Sequence, residues 1–388
     1  MKKFITSISI LVIWISIFTS SCSTGKLSNP PSTISSPTTI SAENGTKEWE
    51  SKMLASNMVF GPGVAATIGG KDYLIYSVNF GTNPEGPGTN ADVGIIILDI
   101  RNSDSPDEIS YLKNGQNEPN QFIENLKLDG SILYTVTRNY LWIIDVSDPY
   151  HPRDLGKTEL AGAVDIAISG KYAYLTSGNN TISTFDISDL TNPHIIGEII
   201  LPSYAGVLKS SGSLLFALSG NGLHIFDISV PGSLKEIGFL SNPFPPLTGE
   251  IAPERIEPDF FDMVLAGKYL YIVSGIDKLL VVDISHPASP KTITDFETSA
   301  QGTDIIISGE LAYMLSSDGP VQFSEGISNL LAIVDISNPG KLNELNSVQL
   351  PAPFPDAFDS YNSLIEGNNH LYISDNRNPI IKIIDLGD

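Results

Sequence analysis

The chain has 388 residues, of which 41% are apolar, 33 are glycine and 26 are proline, a composition typical of a turn-rich globular protein. It carries 44 acidic and 22 basic residues, a formal net charge of −22. Such a chain repels phosphate groups, so we expect no nucleic-acid partner and no electrostatic binding to an anionic lipid surface. Soluble cations and basic partners remain compatible with this charge.

The first 22 residues have the layout of a bacterial lipoprotein signal peptide. Lys2 and Lys3 precede a mostly apolar stretch over 4–18, and small residues then lead to Cys22. A transmembrane helix is the alternative, but the stretch is shorter than the ~20 residues needed to span a bilayer. Thr19 departs from the aliphatic residue usual three positions before the cysteine. We expect lipidation at Cys22, the only cysteine, and a lipid-anchored protein of the cell envelope, at the cell surface or in the periplasm.

Residues 23–46 are rich in Ser, Thr, Pro and Asn and contain almost no apolar side chains. Such a segment cannot bury enough surface to fold, so it is predicted to be a disordered tether. The predicted folded domain covers residues 47–388.

One sequence pattern recurs along the whole domain: an apolar run, an Asp and a Ser/Pro-rich turn. Each copy is the third of four short β-prone runs separated by Gly, Asn, Asp or Pro, and no window has helical periodicity. Four-stranded units repeating at about 40 residues or more are typical of propeller blades. The copies are IIILDIRNSDSP (95–106), LWIIDVSDPYHP (141–152), ISTFDISDLTNP (182–193), LHIFDISVPGSL (223–234), LLVVDISHPASP (279–290), LAIVDISNPGKL (331–342) and IKIIDLGD (381–388).

The last repeat has strands A, B and C but no strand D, whereas residues 47–55 precede the first strand A and resemble a strand D. Pairing the two would close a ring and leave no open sheet edge there. We therefore predict an all-β, seven-bladed propeller of four-stranded blades, closed by an N-terminal strand that completes the last blade. An open solenoid, the alternative, would not need complementary part-repeats at its ends.

The segments VVDIS at Val281, IVDIS at Ile333 and IIDVS at Ile143, each preceded by an xSGxxAYxxS-type strand pair, resemble LVIVD repeats. That family occurs in bacterial and archaeal surface proteins, and the resemblance implies a β-propeller over essentially the whole folded region. It implies no particular activity, because the members share none.

The Asp that ends each strand C could form a ring of metal ligands. Repetition in every blade instead favours a structural role, in which each carboxylate accepts hydrogen bonds from backbone N–H groups of the following turn. These residues are Asp99, Asp145, Asp186, Asp227, Asp283, Asp335 and Asp385.

A second polar set lies five residues before the glycine of the strand A turn: Asn125, Asp165, Asp262 and Asp304. The other blades have Ala65, Val207 and Ser363 at the position assigned as equivalent. Strand A is innermost in a propeller, so these side chains are predicted near the channel mouth, where their oxygens could bind Ca²⁺. Inter-blade hydrogen bonding is the alternative role.

Long insertions at 79–92, 241–260, 316–329 and 351–360 are all B–C or D–A connections, which emerge on one face of a propeller. They contain ten acids, one base and several Phe residues. Binding sites of repeat proteins tend to lie where insertions accumulate, although the Phe residues could simply pack the loops down. We predict a ligand-binding face that includes Phe80, Phe244, Glu254, Glu257, Asp259, Phe323, Phe354 and Phe358.

Catalytic motifs are absent: the chain has no GxSxG, HExxH or Walker-type sequence, and its five His residues do not converge. We expect a binding or scaffolding module, monomeric, with a protein or polysaccharide partner and a membrane contact through the lipid anchor only. No cofactor is required, and Ca²⁺ is possible. The alternatives are a propeller hydrolase or lyase acting on an extracellular polymer, and an envelope-assembly factor.

Overall fold

The computed structural model describes residues 46–52, 54, 58–80, 93–115, 122–177, 180–243, 247–249, 252–256, 260–274, 277–299, 302–316, 329–350, 361–375 and 380–387. Every regular element in these ranges is a β-strand. The described residues include no helix long and apolar enough to cross a membrane.

The strands follow one another in groups of four along the chain, and one short hairpin separates the fourth group from the fifth. In chain order they are β1 (Thr46–Glu50), β2 (Met58–Ile68), β3 (Lys71–Phe80), β4 (Gly94–Asp99), β5 (Asp107–Lys113), β6 (Ile123–Asp129), β7 (Ile132–Thr137), β8 (Tyr140–Asp145), β9 (Arg153–Glu159), β10 (Ile166–Ser169), β11 (Tyr172–Ser177), β12 (Thr181–Asp186), β13 (His194–Ile200), β14 (Ala205–Ser211), β15 (Leu214–Ser219), β16 (Gly222–Asp227), β17 (Lys235–Ser241), β18 (Leu247–Gly249), β19 (Ala252–Ile256), β20 (Phe260–Ala266), β21 (Tyr269–Ser274), β22 (Lys278–Asp283), β23 (Lys291–Glu297), β24 (Gly302–Ser308), β25 (Leu311–Ser316), β26 (Asn329–Asp335), β27 (Asn343–Leu350), β28 (Tyr361–Gly367), β29 (His370–Asp375) and β30 (Ile380–Asp385).

These strands form seven four-stranded antiparallel sheets, which are the blades of a β-propeller. Blades 1 to 6 each use four consecutive strands, A to D, beginning at β2, β6, β10, β14, β20 and β24. Each strand A contacts the strand A of the neighbouring blade, so the seven A strands form the inner ring. The predicted fold class is confirmed.

Blade 7 has the order β1-β30-β29-β28, so the N-terminal strand supplies the missing outer strand. β1 is antiparallel to β30, with Thr46 opposite Ile384 and Glu50 opposite Ile380. The predicted ring closure is therefore confirmed. β1 ends at Glu50, five residues before the end of the predicted strand D, because the chain then crosses to blade 1.

The hydrophobic core consists of one cluster for each pair of neighbouring blades. Between blades 1 and 2, Trp142 packs with Ile75 and Ile97, and between blades 3 and 4, Phe226 packs with Tyr174. Both faces of a blade are covered in this way, which explains why the B and C strands are nearly continuous apolar runs. The stability of the ring thus depends on every blade having two neighbours.

The A–B hairpins are two-residue turns that need left-handed backbone conformations. The first turn residue has φ near +60° in each blade, and it is glycine in blades 1 to 6 and Asn368 in blade 7. In blade 1 that residue is Gly69, because Ile68 pairs with Lys71.

Both strands of the A–B hairpin in blade 1 are two residues longer than in the other blades, because Tyr73 pairs with Asp99 as Tyr172 pairs with Asp186 in blade 3. The strand B residue equivalent to Thr176 is therefore Ser77. The position equivalent to Asp165 lies opposite it, in the bulge between Phe60 and Gly63, and the assignment of Ala65 was wrong.

The repeated Asp at the end of strand C holds the turn that follows, as predicted. In every blade one carboxylate oxygen accepts the backbone N–H two residues later, at 2.8–3.0 Å. The adjacent Ser hydroxyl, together with these backbone bonds, lowers the pKa of Asp186 and of Asp283 below the usual value. The stabilisation of the fold by these ionised carboxylates is therefore complete above the pKa of the same Asp residues in the unfolded chain. It is lost as the pH falls through their lower pKa in the folded protein.

Strand D contains a β-bulge in blades 1 to 6. In blades 1 to 4 the residue after the bulge lies against the C–D turn of the next blade. Ser110 Oγ donates to the carbonyl of Pro149 at 2.6 Å. A Cβ on Gly238 would lie 1.8 Å from the carbonyl oxygen of Pro287, so only glycine fits there. The Ser/Pro-rich turn therefore joins neighbouring blades at the outer rim.

Candidate functional site

The predicted polar set on the A strands lies in the inner ring, and all four side chains are buried. Its members occupy equivalent positions in blades 2, 3, 5 and 6. Their partners come mainly from the neighbouring blade. We call Asn125, Asp165, Asp262 and Asp304 the inner belt.

Asp165 is the most highly connected member of the inner belt. Its Oδ1 accepts hydrogen bonds from Asn125 Nδ2 at 2.6 Å and from its neighbour Ile166 N at 2.7 Å. Its Oδ2 accepts from Leu208 N of blade 4 at 2.6 Å. One carboxylate thus connects blades 2, 3 and 4. Burial raises the pKa of Asp165, and the nearby ammonium groups of Lys127 and Lys209 oppose that shift.

Blade 4 has Val207 at the belt position and contributes a cation instead. Lys209, two residues further along the same strand, places Nζ 3.1 Å from Asp262 Oδ1 in blade 5. Asp304 of blade 6 makes the same contact as Asp165, because its Oδ2 accepts a backbone N–H of the next blade, that of Leu364 in blade 7, at 2.6 Å. The structure therefore brings Asn125 and Asp165 together, whereas Asp262 and Asp304 have partners of their own.

Calcium at the inner belt would require oxygens that converge on one point and are available to a cation. Both oxygens of Asp165 accept backbone N–H groups, and an ammonium group already lies beside Asp262. Among the described residues no group of three or more His, Cys, Asp or Glu side chains is arranged to hold a metal ion. The belt residues thus fit Ca²⁺ poorly, and the calcium site stays a prediction without geometric support.

A different polar cluster lies at the channel mouth, beside the inner belt. Arg138, in the B–C turn of blade 2, donates from Nε to Glu124 Oε1 at 2.6 Å. Burial raises the pKa of Glu124, and Arg138 opposes that shift. Tyr204, in the connection between blades 3 and 4, is 40% exposed. Its pKa is raised by burial of the phenol and by the charges of Glu124 and Asp165. We call Glu124, Arg138 and Tyr204 the mouth cluster.

The mouth cluster offers a guanidinium, a carboxylate and a phenol from three different segments. Such a combination can donate and accept hydrogen bonds to a polar ligand that covers the end of the channel. Sequence reasoning missed it, because Glu124 and Arg138 resemble ordinary charged residues at a strand start and in a turn. The available signal was that six blades have no acid at the position of Glu124.

The predicted ligand-binding residues fall outside what the structure describes. Phe244, Glu257, Asp259, Phe323, Phe354 and Phe358 lie outside the described residues, as does Cys22, and the side chains of Phe80 and Glu254 are not described. The strands on either side of these connections are described. β3, β17, β25 and β27 all end at the edge of the sheets where the A strands begin. The long connections therefore start from the same edge as the mouth cluster.

A second polar feature lies on the outer side of the ring, between blades 3 and 4. His224 is buried at the third position of strand C, where blades 1, 2 and 5 have Ile96, Trp142 and Leu280. Its Nδ1–H donates to Glu236 Oε1 at 2.9 Å, and its Nε2 lies 3.0 Å from Asn221 Oδ1. The sequence alone indicates no role for His224, which is one of the five His residues. Blades 3 and 7 have buried polar residues at the same position, Ser183 and Lys382.

Comparison with known proteins supports the repeat assignment. A family model described as the LVIVD repeat matches residues 124–157, 162–199, 211–240, 261–298 and 326–349. No curated protein matches.

Several solved structures are similar in fold. A chain of the mitotic checkpoint complex aligns with a TM-score of 0.60 at 13% identity over 94% of this chain and 98% of that one. The computationally designed Ika8 protein gives a TM-score of 0.54 at 11% identity, with coverages of 86% and 98%. A protein from Lactobacillus plantarum gives 0.55 at 10% identity, with coverages of 76% and 97%. At these identities the similarity concerns the fold alone.

Proposed function

Because this chain is a seven-bladed β-propeller that carries five LVIVD repeats, we propose that it is a binding or scaffolding module held at the cell envelope. The ligand binds on the face that carries the long B–C and D–A connections, and a lipid on Cys22 anchors the protein through the predicted tether. The tether ends at residue 45, because Thr46 belongs to β1. The partner is a protein or a polysaccharide outside the cytoplasm.

The observation that carries this proposal is the mouth cluster. Arg138, Glu124 and Tyr204 come from a B–C turn, the start of a strand A and a D–A connection, and they lie on the edge where the four longest connections start. A rigid seven-bladed ring positions such groups without deforming. A charged pair beside a partly exposed tyrosine suits a polar ligand better than an apolar one.

A propeller hydrolase or lyase is the second candidate. Its support is the raised pKa of the Glu124 carboxyl, since a carboxyl of raised pKa can act as a general acid. The hydrogen bond from Arg138 Nε to that carboxylate counts against this role, because the guanidinium favours the ionised form.

The binding face can be tested with a panel of bacterial envelope polysaccharides and basic peptides. The variant Arg138→Ala/Tyr204→Ala removes two mouth groups, and we expect at least a tenfold loss of affinity, about 1.4 kcal/mol, for a polysaccharide that binds the wild type. Asp189→Ala, in a C–D turn on the opposite edge, is the matched control and should bind normally. Equal binding by both variants would place the ligand elsewhere.

Lipid anchoring is tested separately with Cys22→Ala. We expect this variant to leave the membrane fraction and the wild type to remain in it, because the 4–18 segment is too short to span a bilayer alone. The measurement is the distribution of the protein between membrane and supernatant after high-salt washing. A variant that stays in the membrane would contradict the lipoprotein assignment.

A further inference from the structure

Three blades carry a Glu at the second position of strand D, and two of these residues have the same structural role. In blade 1, Glu108 Oε1 accepts the backbone N–H of Lys52 at 3.1 Å. In blade 6, Glu344 Oε2 accepts the backbone N–H of Ser299 at 3.0 Å. Lys52 and Ser299 both lie just beyond strand D of the preceding blade. The carboxylate therefore ties the end of one blade to the next.

Glu236 in blade 4 is the third such residue, and it has no backbone N–H donor at the equivalent position of the preceding blade. The backbone N–H of Leu201 donates to Asn180 in blade 3, and the backbone N–H of Thr298 donates to Asp277 in blade 5. Leu201 and Thr298 are therefore equivalent. The residue that follows is Pro202 in blade 3 and Ser299 in blade 5. Proline has no N–H to donate. Glu236 is held instead by the buried imidazole of His224, at 2.9 Å from Oε1, and 42% of its side chain remains exposed.

An open groove of about 530 Å³ lies beside this carboxylate. Pro202, Asn221, His224 and Phe239 line it together with Glu236. Phe239 is 44% exposed, and its ring centroid lies 4.8 Å from that of His224. The groove therefore presents an accessible aromatic ring next to a carboxylate whose orientation is already fixed by a buried side chain.

We propose that this groove binds an arginine side chain of an extended segment of a partner protein. The guanidinium donates N–H groups to Glu236 in place of the backbone N–H that Pro202 lacks. The plane of the guanidinium stacks on the ring of Phe239 at the same time. Arginine fits this combination better than lysine, because its planar fork pairs with a carboxylate and stacks on an aromatic ring at the same time. The net charge of −22 attracts a basic segment. The groove lies on the outer strands and is separate from the mouth cluster.

Three features make the site more specific than an exposed acid on an acidic surface. The imidazole holds one carboxylate oxygen, so the side chain loses less rotational freedom when a ligand binds. Phe239 adds an apolar contact that excludes water. Blades 1 and 6 show what the same Glu does when a backbone N–H is present, which makes Pro202 the residue that opens the site.

The probe is the peptide acetyl-Leu-Arg-Leu-amide, titrated into the full domain and followed by calorimetry or by NMR shifts. The same peptide with citrulline in place of Arg keeps the shape and removes the charge. We expect the citrulline peptide to bind at least about tenfold more weakly. Equal binding of the two peptides, or no binding of the Arg peptide at millimolar concentration, would overturn the proposal.

Protein variants locate the binding. Glu236→Gln and Phe239→Ala should each weaken binding of the Arg peptide about tenfold, whereas Glu344→Gln, which alters a Glu already tied to a backbone N–H, should leave it unchanged. Pro202→Ser restores an N–H and should weaken binding while the side chains of Glu236, His224 and Phe239 stay in place. Thermal melting of each variant shows whether it is folded. Loss of affinity in Glu344→Gln, or full affinity in both Glu236→Gln and Pro202→Ser, would refute the assignment.

Discussion

Deleting Thr46–Glu50 is expected to destabilise the whole ring by on the order of 5 kcal/mol. β1 completes blade 7, and Trp49 packs on the cluster between blades 7 and 1. The deletion also leaves the ammonium group of Lys382, whose side chain is 2% exposed, without the carboxylate of Glu48. Removing the partner of a charge that stays buried costs about 3–5 kcal/mol, which is the upper limit here because the deletion also opens Lys382 to water. The lost aromatic contact adds about 2 kcal/mol.

The measurement is calorimetric melting, in which we expect the midpoint to fall by roughly 10 °C. A deletion of five residues from the 23–45 segment is the length-matched control and should melt like the wild type. An unchanged midpoint in the β1 deletion would show that the closing strand contributes nothing to the ring.

The contribution of the Glu48–Lys382 ion pair can be separated from that of the strand. Glu48 and Lys382 are directly opposite each other in the β1–β30 ladder, and burial lowers the pKa of Lys382. Glu48→Lys places two positive charges together and should destabilise blade 7, whereas the exchanged pair Glu48→Lys/Lys382→Glu should recover part of that loss. A double-mutant cycle gives the coupling free energy, and a value near zero would exclude the pair as a determinant of closure.

Local patterns in the sequence were sufficient to predict the blades. The Asp after each strand C was correctly interpreted as holding a turn, because its partner is a backbone N–H only two residues away. The closing strand was predictable because a ring with three strands in its last blade requires a fourth. The error at Ala65 had a local cause: the A–B hairpin of blade 1 is two residues longer on each strand, so counting back from its turn glycine does not reach the position equivalent to Asp165.

Contacts between blades could not be predicted in the same way. The partner of Asp165 is the backbone N–H of Leu208, 43 residues away, and no side-chain pattern marks a backbone donor. The relation between Pro202 and Glu236 could not be predicted either. That Pro202 replaces a backbone N–H donor is recognised only when the ends of the D strands are superposed. The ring brings equivalent positions together, and the differences between them are where specific chemistry can be sought.

Replacing Asp165 with Ala should cost about 3–5 kcal/mol, the largest effect we expect from a single substitution in the inner belt. The change leaves three donors without their acceptor: the backbone N–H groups of Ile166 and Leu208 and the side-chain amide of Asn125. Each buried donor without a partner costs about 1–3 kcal/mol, partly offset because the buried carboxylate is also removed. Chemical denaturation with a full extrapolation to water measures the difference.

Asp189→Ala is the matched control for this substitution, because Asp189 accepts the N–H of Thr191 within an exposed turn of the same blade. We expect its midpoint to stay close to that of the wild type. Melting with and without millimolar Ca²⁺ then distinguishes the two roles considered for the belt. If the carboxylate of Asp165 serves to join blades 2, 3 and 4, calcium leaves the wild-type midpoint unchanged and Asp165→Ala lowers it. A calcium-dependent rise that Asp165→Ala abolishes would instead establish a metal site.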